Sequence, residues 1–208
     1  MGGLMITTAL VSAWIARFGE IIEDRADYLT KLDSPIGDAD HGANMLRGMT
    51  AAVPAAENAP TIDAQLKAVG MAMLSKVGGT SGPLYGTLFL KAAMTLGQRA
   101  EVAPSEFAAA LRTGADALAF RGKAEPGDKT MVDALAPAVA ALESHVAEDF
   151  AAAAEAAHRA ADEGRAATTD MVARKGRASY LGERSVGHTD PGATSATYLF
   201  QALAEVSR

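Results

Sequence analysis

The chain contains no cysteine among its 208 residues, and aromatic side chains make up only 5% of them. Without a thiol it cannot form disulfides, thiolate zinc sites, iron–sulfur clusters or a cysteine nucleophile. No uncharged apolar run reaches the roughly 18–20 residues that span a bilayer. The 19 basic residues are outnumbered by 25 acidic ones, which opposes a nucleic-acid surface because phosphate binding needs a basic excess. We therefore expect a cytoplasmic protein that binds neither membranes nor nucleic acid.

Length and composition predict a single domain over residues 1–208. At roughly 150 residues per domain the chain corresponds to one domain, and its 49% hydrophobic residues suffice for an ordinary core. The uncharged amino terminus, Met1 to Ala16, lacks a basic region and continues into Arg17 and Glu20. We interpret it as a tail that enters a helix, and not as a signal peptide.

The fold class follows from the abundance of alanine and the scarcity of alternating apolar and polar stretches. Alanine has the highest helix propensity, because it loses no rotamer entropy and buries no polar group. Apolar residues recur in steps of three and four, which predicts about eight helices, and the loop lengths suit an all-α antiparallel bundle. The predicted helices are about Thr8 to Lys31, Met45 to Pro54, Ile62 to Val77 after an N-cap at Thr61, Leu84 to Ala92, Pro104 to Leu118, Met131 to Leu142, about Asp149 to Val172, and from Pro191 onward after an N-cap at Asp190.

Glycine, aspartate, serine and threonine are concentrated in four loops. In chain order these loops run from Leu32 to Gly42, Gly78 to Gly82, Gly122 to Lys129 and Arg174 to Thr189. They follow the first, third, fifth and seventh predicted helices. Because alternate connections of an antiparallel bundle lie at the same end, all four loops should meet there. That convergence predicts a functional site.

The first loop brings Asp33, Asp38 and Asp40 within eight positions. Carboxylate oxygens without histidine or cysteine partners favour hard cations, magnesium above all. The loop is not an EF-hand, because Gly42 stands where the motif would continue and no bidentate glutamate follows. The alternative is an aspartate-rich turn followed by an N-cap, with no bound metal.

The other three loops carry features that suit an anion. In the second loop, Gly78-Gly79-Thr80-Ser81-Gly82 can offer backbone N–H groups and hydroxyls to a phosphate, although a glycine C-cap would look similar. The third loop imitates a P-loop, but Asp128 interrupts its Gly-Lys-Thr and no strand precedes it, so we reject that interpretation. The fourth loop is basic, and either complements phosphates or an acidic partner, or is simply solvated. Its basic residues are Arg174, Lys175, Arg177, Arg184 and His188.

Four motifs taken together are far more specific than any one of them. They read Gly37-Asp38-Ala39-Asp40-His41-Gly42, Gly79-Thr80-Ser81-Gly82, Gly127-Asp128-Lys129-Thr130-Met131 and Asp190-Pro191-Gly192-Ala193-Thr194. In this order and spacing, over nearly the whole chain, they resemble the nucleotide-binding L subunits of dihydroxyacetone kinases. The resemblance implies an eight-helix antiparallel barrel that holds ADP, or ATP when charged, in loops at one end through two Mg²⁺ ions.

The resemblance also implies which residues bind the metal and the nucleotide. The implied metal ligands are Asp33, Asp38 and Asp40. The implied nucleotide-binding residues are His41, Gly42, Ala43, Asn44, Thr80 and Ser81 at the phosphates, with Gly122, Met131, Arg177, Asp190, Pro191 and Gly192 around the remainder. No catalytic side chain is implied, because phosphoryl transfer depends mainly on positioning and charge neutralisation.

The family has two mechanistic branches, and the sequence of the first loop resembles the phosphotransferase-dependent one more closely. In that branch, an M subunit of the phosphoenolpyruvate-dependent phosphotransferase system, a phosphocarrier, phosphorylates the bound ADP. A K subunit that holds dihydroxyacetone then receives the γ-phosphate, which yields dihydroxyacetone phosphate. The alternative is a free-standing L component of an ATP-dependent kinase for dihydroxyacetone or a related ketose. The resemblance leaves a homodimer open.

Two interpretations from other functional classes remain. One is a nucleotide-binding regulator that depends on a divalent cation and transfers no phosphoryl group. The other is a helical scaffold whose four loops only cap helices. Absence of phosphoryl transfer with K or M partners would favour the first, and absence of metal and nucleotide affinity the second.

Overall fold

Eight α-helices account for most of the chain in the computed structural model, which describes residues 5–57, 59–147 and 149–208. The predicted all-α, eight-helix fold is therefore confirmed. The helices are α1 (Thr8–Asp33), α2 (His41–Glu57), α3 (Ile62–Lys76), α4 (Ser81–Leu96), α5 (Pro104–Gly122), α6 (Val132–His145), α7 (Phe150–Ala167) and α8 (Pro191–Val206).

The remaining regular structure is short. Two strands of two residues each, β1 (Ile6–Thr7) and β2 (Glu101–Val102), pair antiparallel, and two 3₁₀ helices follow α7 at Thr168–Asp170 and Arg177–Ser185. Of the predicted amino-terminal tail, residues 1–4 lie outside the described residues, and the rest forms β1 before entering α1. In the described ranges no helix is long and apolar enough to cross a bilayer.

The helices close into a barrel because each packs against the next and α8 packs against α1. Apolar side chains from all eight helices form one continuous core. Trp14 of α1 lies in this core with its ring centroid 5.6 Å from that of Phe107 and 6.1 Å from that of Phe89. Its indole N–H donates to the Leu199 carbonyl at 2.8 Å, so the buried polar group is satisfied.

Most predicted helix starts are confirmed in detail. The Asp190 carboxylate accepts from the Ala193 N–H at 2.7 Å, with Pro191 in the first helical position, and the Asp149 carboxylate accepts from the Ala151 N–H at 2.8 Å. These bonds satisfy N–H groups that have no partner within the helix. Thr61 has the extended backbone of an N-cap, but its side chain makes no capping bond.

Three predicted helix boundaries are wrong. Helix α2 continues past Pro54 to Glu57 and begins at His41, so the last two residues of the first predicted loop are helical. A proline removes only one helical N–H and is less disruptive near the end of a helix than in its centre. Helix α7 ends at Ala167 rather than near Val172, because the chain tightens into the 3₁₀ turn Thr168–Asp170.

Candidate functional site

All four predicted loops meet at one end of the barrel and line a common cavity. Its volume of about 240 Å³ far exceeds the roughly 10–15 Å³ that one water molecule needs, so the cavity can take an organic ligand. The lining residues that sequence analysis predicted are Asp33, Asp38, Asp40, His41, Asn44, Thr80, Ser81, Gly122, Met131, Arg177, Asp190, Pro191 and Gly192.

Three carboxylates form an acidic cluster in this cavity. One ligand oxygen from each of Asp33, Asp38 and Asp40 lies within 4.8 Å of the others. Asp33 is the buried last residue of α1, and its Oδ2 accepts from the N–H of Asp40 at 2.9 Å and of His41 at 3.2 Å. Gly37 allows the loop to close tightly, because a Cβ at this position would collide with the Asp33 carboxylate.

The chemistry of this cluster fits a hard divalent cation. Oxygen ligands alone suit Mg²⁺, and three carboxylates this close repel one another unless positive charge lies between them. Arg177 from the fourth loop supplies part of that charge, with its guanidinium 2.8 Å from Asp38 Oδ2. The pair is largely exposed, so it adds little to the stability of the fold. It brings a basic side chain of the fourth loop to the acidic cluster.

Four helix N-termini point at the cavity, which makes it suitable for anions. Because the odd-numbered helices end at this side of the barrel, α2, α4, α6 and α8 begin there, at His41, Ser81, Val132 and Pro191. The first N–H groups of a helix carry partial positive charge and lack helical acceptors. A phosphate is the anion that such sites commonly hold.

Polar side chains of α2 and α4 line the same part of the cavity. Asn44 is buried, and its Oδ1 accepts a hydrogen bond from the Arg47 guanidinium. Ser81 is the first residue of α4, and its hydroxyl oxygen lies 3.2 Å from His41 Nδ1. Burial lowers the pKa of His41 to about 4, although Asp33 and Asp40 oppose this shift. His41 is therefore neutral at physiological pH.

The structure does not bring Gly42 and Ala43 to the cavity wall. Gly42 is buried against α1, where a Cβ would collide with the Ala26 carbonyl and lie 2.6 Å from Thr30 Oγ1. Ala43 is exposed to solvent. The geometry therefore gives Gly42 a packing role, since only glycine lets α2 approach α1 so closely.

Apolar residues form another part of the cavity lining, which we call the apolar wall. They are Ile36, Leu84, Leu118, Ala124, Met131 and Val132, together with Gly122. A Cβ at Gly122 would lie 3.4 Å from the Leu84 side chain, so any larger residue at position 122 would narrow the cavity beside this wall. A cavity lined by apolar side chains as well as by carboxylates and helix N-termini suits a ligand that is apolar at one end and anionic at the other.

Sequence analysis assigned no role to Lys129, which organises the fourth loop. Its side chain is 1% exposed, and its ammonium donates to the carbonyls of Thr168 at 2.7 Å, Met171 at 3.1 Å and Ser185 at 2.7 Å. The Thr169 carbonyl lies at 3.4 Å. Burial lowers the pKa of Lys129. In the sequence the residue belongs to the rejected P-loop and to the third family motif, and its role was missed because nothing in the sequence indicates which carbonyls a lysine will meet.

We call residues 168–190, between α7 and α8, the cover segment. The bonds of Lys129 hold this segment in place. A small apolar cluster, separate from the main core, attaches the same segment to the first loop. It joins Ile36 to Ala173 and Ala178, with Leu181 packed against them. The cover segment therefore lies across the acidic cluster and is held there by apolar packing, by Lys129 and by Arg177.

Two further carboxylates shape the third loop and the start of α8. Asp133 accepts from the N–H groups of Gly127 at 2.5 Å and Thr130 at 2.7 Å, which fixes the turn that carries Lys129. Burial, helped by the charges of Asp133 and Asp33 and opposed by the Ala193 N–H and Lys129, raises the pKa of Asp190 to about 7. The bonds of Asp133 are local, whereas the pKa shift of Asp190 could not be predicted from spacing, since the charges that act on it are distant in sequence.

Comparison with known proteins places this site in a family. The DAK2 domain profile matches residues 35–205. The ADP-binding subunit DhaL of the PEP-dependent dihydroxyacetone kinase of Escherichia coli K12 is 48% identical over 198 residues, which cover 92% of this chain and 93% of that protein. The DhaL subunit of the PTS-dependent enzyme of Lactococcus lactis is 41% identical, over 97% of this chain and 99% of that protein.

Longer proteins match over one part of their length. A D-erythrulose kinase of Mycolicibacterium smegmatis is 40% identical over 94% of this chain, which spans 35% of that protein. The crystal structure of the C. freundii dihydroxyacetone kinase in complex with AMP-PNP and Mg²⁺ superimposes with a TM-score of 0.76 at 28% identity, over 95% of this chain and 34% of that one. With a profile covering most of the sequence and relatives alike over nearly their full length, the chain belongs to the DAK2 domain family.

Proposed function

We propose that this chain is the ADP-binding subunit of a PEP-dependent, multi-component dihydroxyacetone kinase. In this proposal bound ADP accepts a phosphoryl group from a phosphocarrier M subunit and passes it to dihydroxyacetone on a K subunit. The observation that carries the proposal is the cluster of Asp33, Asp38 and Asp40 at one end of the barrel. Near full-length relatives named as ADP-binding subunits support it. One continuous core supports a single ADP-binding domain over residues 1–208.

The residues at the acidic end would hold the diphosphate. Asp33, Asp38 and Asp40 are the proposed ligands of magnesium, which when bound supplies positive charge that offsets the phosphates. Thr80 and Ser81, with the N-termini of α2 and α4, would donate hydrogen bonds to phosphate oxygens. No side chain needs to form a covalent intermediate, because positioning and charge neutralisation dominate phosphoryl transfer.

The apolar wall and the cover segment would hold the remainder of the nucleotide. Leu84, Leu118 and Met131 offer apolar surface to a base, and the Pro191-Gly192 turn adjoins Met131. A segment fixed by Lys129 and by the Ile36 cluster opens only at a cost in contacts. Slow opening would retain ADP as a coenzyme through many turnovers.

The rim of the cavity is the proposed docking surface for both partners. Lys175 and Arg177 lie at the cavity wall, and Arg184 follows Arg177 in the same segment, beyond a kink at Gly182. Basic side chains there would speed encounter with acidic partner surfaces. The M and K subunits must dock in turn, because donor and acceptor atoms need the same in-line position. A cytoplasmic location and a homodimer remain predictions.

A second function is favoured by the ketose kinases among the relatives. The D-erythrulose kinase of M. smegmatis is 40% identical to this chain. The chain could accordingly be the nucleotide-binding component of an ATP-dependent ketose kinase. The two functions differ in nucleotide exchange, since a coenzyme stays bound whereas a substrate leaves after each turnover.

The first test is the nucleotide content of the purified protein, with Asp40→Ala as the informative variant. One tryptophan and four tyrosines give low protein absorbance, so a retained adenine should be conspicuous in the ultraviolet spectrum. We expect about one ADP per chain in the parent and none in Asp40→Ala, with unchanged helical circular dichroism. Asp24→Ala, which removes an exposed carboxylate of α1, is the matched control.

The result also separates the two functions. ADP that survives dialysis supports the coenzyme, whereas rapid exchange with added ATP supports the ATP-dependent kinase. A full complement of ADP and magnesium in Asp40→Ala would show that the three-carboxylate site is wrong.

A further inference from the structure

A chain of hydrogen-bonding side chains runs from the barrel core to the cavity. The Tyr85 hydroxyl lies 2.8 Å from Ser195 Oγ, which lies 3.0 Å from His41 Nε2. The other ring nitrogen, Nδ1, lies 3.2 Å from the hydroxyl of Ser81. Tyr85 and Ser195 are fully buried, whereas Ser81 and His41 line the cavity. The four side chains thus connect α4, α8 and α2.

With the Tyr85 hydroxyl as donor to Ser195, the remaining protons of these four side chains have two arrangements. Ser195 can direct its own proton either to the Gly192 carbonyl at 3.0 Å or to His41 Nε2. In the first arrangement His41 carries its proton on Nε2, and Nδ1 accepts the proton of Ser81. In the second, His41 carries its proton on Nδ1 and donates to Ser81.

The two arrangements present opposite groups to the cavity. In the first, the Ser81 proton points at His41 and only oxygen lone pairs face a ligand. In the second, Ser81 accepts from His41 and its own proton is free for a ligand oxygen. Because a neutral imidazole has one N–H, the two nitrogens exchange roles together.

We propose that an anionic phosphate oxygen at Ser81 selects the second arrangement, and that Tyr85 and Ser195 are positioning residues which set the tautomer of His41. The inference rests on the proposed binding of ADP. A hydroxyl that donates to a phosphate oxygen makes a charge-assisted bond, which is stronger than a neutral one. Lone pairs facing the same oxygen would repel it. Binding of the anion therefore reverses the direction of hydrogen bonding from Ser195 through His41 to Ser81.

Two conservative variants test this hydrogen-bond relay, by which we mean the series Tyr85, Ser195, His41 and Ser81. Ser195→Ala leaves His41 Nε2 without a donor, so the second arrangement loses its support, and we expect roughly tenfold weaker ADP binding. Tyr85→Phe removes one hydroxyl further along the chain and should weaken binding only severalfold. The matched control is Thr197→Val, which removes a buried hydroxyl of α8 bonded to the Ala161 and Ala193 carbonyls and not to His41.

The decisive measurement is the tautomer of His41 and not the phosphoryl-transfer activity of the protein. Nitrogen-15 NMR of histidine-labelled protein shows which ring nitrogen carries the proton, and a His41→Gln variant assigns the signal among the four histidines. We expect the proton on Nε2 in the free protein and on Nδ1 with ADP and Mg²⁺. Ser195→Ala should lose this change, and Thr197→Val should keep it. A loss of packing alone would not alter the tautomer.

The outcomes separate this inference from the proposed function. If the parent binds ADP but His41 keeps one tautomer, the relay is overturned and the proposed function stands. If the parent binds no ADP, the proposed function fails, and the same spectra are recorded with pyrophosphate and Mg²⁺. An unchanged tautomer with that anion overturns the relay as well.

Discussion

The two ends of the barrel differ in where the backbone is strained. Among the described residues, the three non-glycine residues with positive φ are Ala39, Lys123 and Lys129, and all lie at the end with the cavity. At the opposite end, which we call the distal end, Gly97 is the one described residue with positive φ. The distal end is closed by ordinary means, such as the N-caps of α1 and α7 and the pairing of β1 with β2.

This difference indicates a division of labour along the helices. Strained backbone and clustered carboxylates cost free energy, and they persist where the surrounding structure holds them in place. The aromatic cluster of Trp14, Phe89, Phe107 and Phe150 lies in the half of the core towards the distal end. We infer that this half supplies most of the stability, while the cavity end uses part of it to position ligand-binding groups. Stability and binding should then respond to different substitutions.

Truncating the centre of the aromatic cluster should have the largest effect on stability. Trp14 is fully buried, and Trp14→Ala removes its contacts with Phe89 and Phe107 and its bond to Leu199. We expect a loss of about 3–5 kcal/mol in the free energy of unfolding, with unchanged ADP affinity in the folded fraction. Urea unfolding and calorimetry measure the two quantities. A large change in ADP affinity would contradict the inference that stability and ligand binding depend on different ends of the barrel.

Removing the ligands should have the next largest effect. Magnesium and ADP bind only the folded state, so at a hundredfold excess over Kd they add about 3 kcal/mol. Exhaustive dialysis against EDTA should then lower the Tm by roughly 6–12 °C, since 1 kcal/mol corresponds to about 2–4 °C in a chain of this length. The Asp40→Ala variant is the control, because it should already melt at the lower temperature. Equal curves before and after dialysis, with nucleotide shown to be absent, would contradict a metal-dependent site.

Releasing the cover segment should cost less. Lys129→Met removes an ammonium that joins carbonyls of Thr168, Met171 and Ser185. Bonds to a charged group contribute about 1.5–3 kcal/mol, and relief of a buried charge offsets part of this, so we expect a net loss of about 2 kcal/mol.

Limited proteolysis of residues 168–190 and the dissociation rate of ADP report whether that loss is local. Both should increase in Lys129→Met. Lys91→Met, which alters an exposed lysine of α4, is the matched control. Equal protease sensitivity in the two variants would show that Lys129 does not hold the cover segment.

The same comparison explains what the sequence could reveal. Helix spacing and the alternation of loops predicted the antiparallel bundle and the shared site at one end, because both follow from local periodicity and simple topology, whereas the closed barrel was implied only by the family resemblance. The carboxylates of Asp33, Asp38 and Asp40 were found because they are close in sequence. Lys129 and the Ser195–Tyr85 pair were not, because their partners lie 39 to 110 residues away. The packing role of Gly42 escaped for the same reason, since it depends on α1.

The smallest predicted effect concerns the response of the cavity end to pH. Burial raises the pKa of Asp190 to about 7 from its usual 3.8, so between these values the folded protein binds more protons than the unfolded chain. The stabilisation is complete below the unfolded pKa and is lost as the pH rises through the folded pKa. His41 opposes this trend, because its pKa is lowered to about 4. The contribution of Asp190 must therefore be measured as a difference between variants.

Asp190→Asn isolates that contribution, because asparagine also caps a helix but does not titrate. About three pKa units correspond to roughly 4 kcal/mol, and the partial exposure of Asp190 reduces our expectation to about 1–2 kcal/mol. Urea unfolding of the ligand-free protein at about pH 5 and about pH 7.5 should show Asp190→Asn gaining that much on the parent as the pH rises. Asp149→Asn shows what the same change does at an exposed N-cap of the distal end. If Asp190→Asn and the parent respond alike, the charge of Asp190 costs the cavity end nothing, and the strain there lies in the backbone alone.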